Sequence, residues 1–341
     1  MAQQAGAYHG VLKKIINDPF DAVDEMLDGF VSANADLVRL ATPRVVARRE
    51  ATAESKVGFV VGGGSGHEPA FAGYVGLGFA DAAACGNVFA SPPPDVCFEA
   101  IHVADMGRGV IMSYGNYAGD VLNFGLAKQL AEAEGIDVRE VQVMDDVASA
   151  PRAEAEKRRG TAGDIYVFKC IGAMAERGAS LDEVERVARK ANAATRSMGV
   201  ALSPCEVPGS GRPTFDLPAD MMEIGMGVHG EPGVRRGPLQ TADEIADSLV
   251  DAILSDMDSR SGHDFALMVN GLGATSHLDL YILYRGARRA LGAAGNTIAL
   301  SHVGEYITSL EMTGASVTVM DLDDELRRLL DAPANTTSYI R

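Results

Sequence analysis

The sequence predicts a two-domain α/β protein, with a first domain built on a mainly parallel sheet flanked by helices and a second, smaller α/β domain with a mixed sheet. Three observations carry this expectation. The chain has 341 residues, more than a single hydrophobic core usually serves. Short apolar, β-branched runs recur, each followed by glycine-rich sequence and then by helical periodicity, which is the pattern of strands and helices alternating around a parallel sheet. Apolar residues make up 47% and charged residues 23% of the chain, ordinary usage for a folded globular protein.

In the first half the strand-like runs are Val57 to Val61, Gly109 to Ser113, Val138 to Met144 and Asp164 to Phe168. The helix after the second run is read from Val121, Leu122, Phe124, Leu126 and Leu130; it starts at Asp120, and Gly135 sits where a C-terminal cap belongs. A later helix opens with the capping box Ser180-Leu-Asp-Glu183 and carries the stripe Leu181, Val184, Val187, Ala191, Ala194, Met198. That helix closes the first domain, so the expected division is 1–190 and 191–341. Gly199 to Pro218, rich in Pro, Gly and Ser, suits an inter-domain connection. Beyond it come a second capping box, Thr241-Ala-Asp-Glu244, and the strand-like runs Ala266 to Val269, Thr297 to Leu300 and Ser316 to Met320. No internal repeat or low-complexity tract interrupts the chain.

Charge and hydropathy narrow the function. Against 30 Lys plus Arg stand 47 Asp plus Glu, a formal charge of −17 that repels phosphate backbones and anionic lipid alike, so neither nucleic acid nor membrane is an expected partner. No apolar run is long enough to span a bilayer and residues 1–18 lack an apolar signal core, which points to the cytoplasm. Cys85, Cys97, Cys170 and Cys205 are too few and too scattered for a disulfide framework and are read as buried thiols.

Three segments could carry chemistry. Gly62-Gly-Gly-Ser-Gly-His67-Glu-Pro69 follows a strand-like run, at the carboxyl edge where open α/β sheets bind ligands. Its glycines let backbone amides approach oxygen-rich groups, although a tight turn with a surface histidine accounts for the same residues. The segment matches neither the dinucleotide fingerprint nor a P-loop, and His67 stands where a serine nucleophile elbow needs glycine. This chain is therefore expected to bind no nucleotide cofactor itself. Tyr114-Gly-Asn-Tyr-Ala-Gly-Asp120 places a carboxylate at the first turn of a helix, where it is either an N-cap or a base for a bound hydroxyl. Glu223-Ile-Gly-Met-Gly-Val-His229-Gly-Glu-Pro-Gly233 holds a histidine between glycines, open to whatever approaches. A metal is its rival ligand, but neither His-x-x-x-His nor a three-ligand cluster appears. His9, His102, His263, His277 and His302 have ordinary surface or packing settings.

Those three segments in order, together with Cys85-Gly-Asn-Val-Phe-Ala-Ser-Pro, Val269-Asn-Gly-Leu-Gly-Ala-Thr275 and Val303-Gly-Glu-Tyr-Ile-Thr-Ser-Leu-Glu-Met-Thr-Gly314, resemble the K subunit of dihydroxyacetone kinases over nearly the whole chain. The resemblance implies that His229 adds to a ketone carbon to form a hemiaminal, which distinguishes a ketose from a polyol by reactivity. It implies that Asp120 deprotonates the attacking hydroxyl, that His67 assists the proton traffic, and that Gly64, Ser65 and Gly66 bind the triose through backbone amides. It also implies a homodimer and a second, helical polypeptide that brings the phosphoryl group with ATP or ADP and Mg. One departure stands out. Where bacterial dihydroxyacetone-specific members carry a lysine five residues before the aspartate, this chain has Gly115, which leaves a gap suited to a four-carbon ketose such as erythrulose. Two other readings compete: a non-catalytic ketose-binding co-activator of a transcription factor, and a metal-dependent hydrolase built from His67, Glu68 and His229.

Overall fold

The computed structural model describes residues 13–50, 55–258 and 260–341, so His9 and most of the segment weighed as a leader lie outside it. The first domain contains α1 (Ala22–Ala33), β1 (Val38–Thr42), β2 (Val45–Arg48), β3 (Gly58–Ser65), β4 (Gly76–Leu77), β5 (Ala82–Val88), α2 (Pro94–Ala104), β6 (Val110–Gly115), α3 (Ala118–Ala133), β7 (Val138–Val143), α4 (Asp164–Glu176) and α5 (Leu181–Ala194). Its sheet has the order β1-β2-β5-β3-β6-β7; β5, β3, β6 and β7 run parallel, and β1 and β2 close one edge antiparallel. All eight residues of β3 are buried, as expected of a central strand covered on both faces. One layer of core, around Phe59, Val61, Tyr166 and Phe168, lies under α1, α4 and α5. The opposite layer, around Val60, Met112, Tyr114 and Phe124, lies under α2 and α3.

The second sheet is built from β8 (Thr195–Ser203), β9 (Met221–Ile224), β10 (Arg235–Pro238), β11 (Asp264–Gly271), β12 (Thr297–Gly304) and β13 (Thr313–Asp321), in the order β10-β9-β8-β13-β11-β12. Only β11 and β12 pair in parallel, so the sheet is mixed. Helices α6 (Ala242–Ser255) and α7 (His277–Ala293) cover one face over Leu249, Ile253, Leu267, Val269 and Val317. After β13 the chain returns to the first domain. Helix α8 (Asp324–Leu330) and strand β14 (Asn335–Thr336) put Leu326, Leu329, Leu330 and Tyr339 into its core, and β14 pairs with β4.

Both expected capping boxes form, with Ser180 and Glu183 at α5 and Thr241 and Glu244 at α6 satisfying each other's backbone amides. Gly135 ends α3 in the left-handed region, its amide bonding to Glu132 O while that of Ile136 bonds to Ala131 O. Four local expectations are corrected. Asp164 to Phe168 opens α4 and is not a strand; eleven of the twelve residues from Asp164 to Ala175, all but Met174, are buried, so no amphipathic period marks it as helical. Helix α3 starts at Ala118, and it buries Phe124, Ala127 and Ala131 while Val121, Leu122, Leu126 and Leu130 are exposed. Met198 belongs to β8, as does the first part of the supposed connection from Gly199. The four cysteines are free and buried.

The domains are locked together by a buried cluster. The Arg158 guanidinium holds the Asp256 carboxylate at 2.8 and 2.5 Å, and Arg196 Nε reaches the same carboxylate at 2.6 Å. Beside it, Ser197 N donates to Asp145 O and Val147 N donates to Ser197 O.

Candidate functional site

The carboxyl edge of the first sheet supplies half of the site. His67 follows β3 by two residues, and Asp120 lies in the first turn of α3, directly after β6. Because β3 and β6 are hydrogen-bonded neighbours, the two segments open on the same edge. The second domain supplies the rest through the β9–β10 loop, which carries His229, and the β12–β13 loop, which carries Thr308. Ser309 Oγ donates to Val228 O, which ties the two loops together, and Asn270 holds the backbone of residues 306 and 307 through its side-chain oxygen.

His67 is buried, contrary to the surface placement weighed from its loop. Its Nδ1 lies 2.7 Å from Thr308 O, and its Nε2 lies 3.0 Å from His229 Nε2. Phe89 stacks on the His67 ring at 4.9 Å and meets the edge of His229 at 5.2 Å. Burial, reinforced by the charge of His229, pushes His67 down to about 3, so this ring is a poor place for a resting proton. His229 keeps about a quarter of its side chain open to solvent, and Glu231 fixes it by accepting from the His229 amide and lying 3.0 Å from Nδ1.

Asp120 makes no helix cap. Tyr117 is the N-cap residue, without a side-chain bond to the helix, and among the described residues Asp120 Oδ1 is buried with no hydrogen-bond partner. Burial pushes its carboxyl up to about 6, although the Ser91 hydroxyl and the charge of His229 pull the other way. A carboxylate so raised is ionised at neutral pH yet basic enough to take a proton from a hydroxyl.

The glycine segment differs from its sequence reading. Gly62 to Ser65 belong to β3 itself rather than to a loop. A side chain at Gly64 would press on the Ala90 amide, and Gly66, at φ +95°, turns the chain toward His67. The Gly66 amide donates to both Glu68 carboxylate oxygens, and the Ser65 hydroxyl donates to Gly86 O. Gly115 ends β6, and the space beside it is occupied: a Cβ there would stand 3.2 Å from the Tyr117 ring and 3.5 Å from Gly160 Cα. Tyr117 in turn donates its hydroxyl to Gly160 O and presents its ring edge-on to His229 at 4.7 Å.

Sequence reasoning missed Glu231, Tyr117, Phe89 and Thr308 as site residues. Each lies within a segment singled out above, but none of those residue types announces a role by itself. Phe89 and Leu310 also adopt left-handed backbone, at φ 55° and 52°, and both bond to the glycine turn: Phe89 N donates to Ser65 O and Leu310 N donates to Gly66 O. Such strain outside glycine concentrates where a site over-determines the chain. Among the described residues no group of three or more His, Cys, Asp or Glu is placed to hold a metal ion.

Fold and site together define a two-domain α/β protein that presents two facing imidazoles and a buried carboxylate at the domain seam. Residues 28–338 match the Dak1 domain, and the chain belongs to that family, the family of dihydroxyacetone kinase K subunits. It is 44% identical over 330 residues to the dihydroxyacetone-binding subunit DhaK of PTS-dependent dihydroxyacetone kinase 2 from Listeria innocua, covering 96% of this chain and 99% of that one. It is 46% identical over 331 residues to an L-erythrulose 1-kinase of Mycolicibacterium smegmatis, covering 96% of this chain but only 58% of that longer protein. Among solved structures, the dihydroxyacetone kinase operon co-activator Dha-DhaQ superposes with a TM-score of 0.88 at 32% identity, over 93% of this chain and 98% of the other. The dihydroxyacetone kinase of C. freundii superposes at 0.86 and 34% identity, over 96% of this chain and 60% of that one.

Proposed function

We propose that this chain is the substrate-binding subunit of a short-ketose kinase, a phosphotransferase acting on an alcohol group, which holds dihydroxyacetone or a close relative as a hemiaminal on His229. The observation that carries the reading is the 3.0 Å pairing of His229 Nε2 with a buried, weakly basic His67. A proton on His229 Nε2 has an acceptor in place, and the lone pair released is the nucleophile for a carbonyl carbon. Asp120 then serves as base for the hydroxyl that attacks phosphorus. Gly64, Ser65 and Gly66 form the wall on which the ketose lies. In this reading a unit of residues 1–190, joined by the returning segment from α8 onward, bears that wall, and the rest of residues 191–341 forms the unit bearing the hemiaminal histidine.

Phosphoryl transfer is largely positioning plus cations on the phosphates. Arg159 is held by Asp146 and Lys157 by Glu154, so neither is offered to a triphosphate. The donor, ATP or ADP with Mg, comes in this reading on a helical partner subunit, and two copies of this chain form a homodimer in the cytoplasm. Among the described residues no helix is long and apolar enough to cross a membrane. A co-activator that only senses ketose would need the hemiaminal but no base, and the raised carboxyl of Asp120 favours the kinase.

A second reading, a four-carbon ketose such as erythrulose as the preferred substrate, is favoured by the 46% identity to an L-erythrulose 1-kinase, although the gap expected at Gly115 is not open. No lysine reaches the substrate there, and the neutral Tyr117 fills the space. The deciding experiment is carbon-13 NMR of a carbonyl-labelled ketose with the protein. The wild type should convert the ketone signal to a hemiaminal, whereas His229→Ala should form no adduct and lose most turnover with the partner subunit. An adduct in His229→Ala would refute the assignment.

A further inference from the structure

Phe89 occupies a backbone conformation that a bulky residue takes only when its surroundings leave no other. Its φ of 55° lies in the left-handed region. The turn that carries it, directly after β5, is tied down on both sides: Phe89 N donates to Ser65 O at 2.9 Å and Ala90 N donates to Asn87 O at 3.0 Å. Neighbouring glycines give it room. A Cβ at Gly86 would stand 2.0 Å from Ala90 O, and one at Gly64 would stand 2.8 Å from the Ala90 amide nitrogen. Yet Phe89 is only partly buried, at the margin of the small core around Met226 and Met312, so core filling does not account for the strain. What its ring touches is the site. Its face lies on the His67 imidazole, with centroids 4.9 Å apart and planes 24° from parallel, and it stands at 82° to His229 with centroids 5.2 Å apart. Gly66 makes that approach possible, because a Cβ there would lie 3.0 Å from Phe89 Cε1 and 3.2 Å from Leu310 Cδ2.

We propose that Phe89 is a positioning residue for the two imidazoles: its face sets the plane of His67 and its ring backs His229, so that ketose capture needs an aromatic ring at residue 89 and not merely apolar bulk. The proposal rests on the reading of His229 as the carbonyl nucleophile. Thr308 O, 2.7 Å from His67 Nδ1, pins one atom of the His67 ring, but a single hydrogen bond does not set the plane of a ring. A flat surface laid against its face does. For His229 the need is sharper, because a bond from its Nε2 to a carbonyl carbon forms only along a narrow approach direction, and a ring free to swing spends most of its time outside it. Phe89 and Tyr117, the latter at 4.7 Å and 87° to His229, both belong to the first domain. The first domain therefore orients, through aromatic contacts, the nucleophile that the second domain carries.

The test compares Phe89→Tyr, which keeps the ring, with Phe89→Leu, which keeps apolar bulk alone. Proton NMR of the ligand-free protein reads the stack directly. The ring current of Phe89 should place the carbon-bound ring protons of His67 upfield in the wild type and in Phe89→Tyr, and Phe89→Leu should return them toward ordinary positions. Carbon-13 NMR of carbonyl-labelled dihydroxyacetone reads capture, which should stay within about three-fold of wild type in Phe89→Tyr and weaken about ten-fold in Phe89→Leu. In turnover with the partner subunit the Leu variant should raise KM and leave kcat nearly unchanged, as loss of ketose holding alone requires. A Leu variant that captures as well as wild type, a Tyr variant as weak as Leu, or His67 resonances unmoved between wild type and Leu overturns the proposal. If Phe89→Leu does not fold, the wild type decides, because unshifted His67 protons there mean that no ring lies on the imidazole. The proton measurement needs no ketose, so failure of the positioning role is distinguishable from failure of the hemiaminal reading, in which wild type and variants alike give no adduct.

Discussion

Replacing Asp120 by asparagine should make the protein more stable and much less active. The carboxyl is raised from 3.8 to about 6 chiefly by burial. About two pKa units at roughly 1.4 kcal/mol each amount to about 3 kcal/mol of disfavoured charge in the folded state. The sign follows from linkage: the folded protein binds this proton more tightly than the unfolded chain does, so the associated stability is present below about pH 4 and is lost as pH rises through about 6. An amide escapes that penalty but leaves polar atoms with no partner in place of the bare Oδ1, a loss of about 1–2 kcal/mol. Asp120→Asn should therefore gain roughly 1–2 kcal/mol in urea unfolding at about pH 8, and the difference should reverse to a loss of about 1–2 kcal/mol below about pH 4. Turnover with the partner subunit should fall roughly 10²- to 10⁴-fold while ketose capture is preserved. An unchanged rate, or a stability difference indifferent to pH, would refute the base assignment.

Three further outcomes are expected. Wild-type turnover should fall roughly ten-fold per pH unit below about 6, as Asp120 takes up its proton, and a flat profile between about pH 5 and 7 would contradict this. Calorimetry should detect no ATP binding by the chain alone at micromolar concentration, since its site cations are already paired; tight binding would place the nucleotide here instead. Erythrulose should equal or exceed dihydroxyacetone in kcat/KM, and Gly115→Lys should tilt the ratio toward the triose by forcing the Tyr117 ring aside. A ten-fold wild-type preference for dihydroxyacetone over both erythrulose enantiomers would sink the four-carbon reading.

Of the parallel strands, β3, β6 and β7 were legible as short apolar runs while the alanine-rich β5 was not, and α5 and α6 were legible because their capping boxes are local chemistry. Helix α4 was not legible, because near-complete burial erases the amphipathic period that distinguishes helix from strand. For α3 the period was present but belonged to the exposed side: Val121, Leu122 and Leu126 are apolar without being core. His67, Asp120 and His229 could be named from glycine-rich context and strand ends. That His67 and His229 meet through Nε2 could not, since 162 residues of chain separate them. Likewise Gly115 read as an empty space only because the neighbour that fills it, Tyr117, lies two residues on and folds back over it.

The return of the chain after β13 bears on how substrate comes and goes. The polypeptide passes between the two domains once at α5 and β8 and again between β13 and α8, and the last segment is stitched in by the β14–β4 pairing. A body joined to its neighbour by two covalent straps, with Arg158 and Asp256 clamped between them, has no single swivel about which to gape. If His229 captures the ketose as proposed, the ligand passes the partly open His229 ring, and its exchange calls for side-chain motion at that doorway rather than a swing of one domain away from the other.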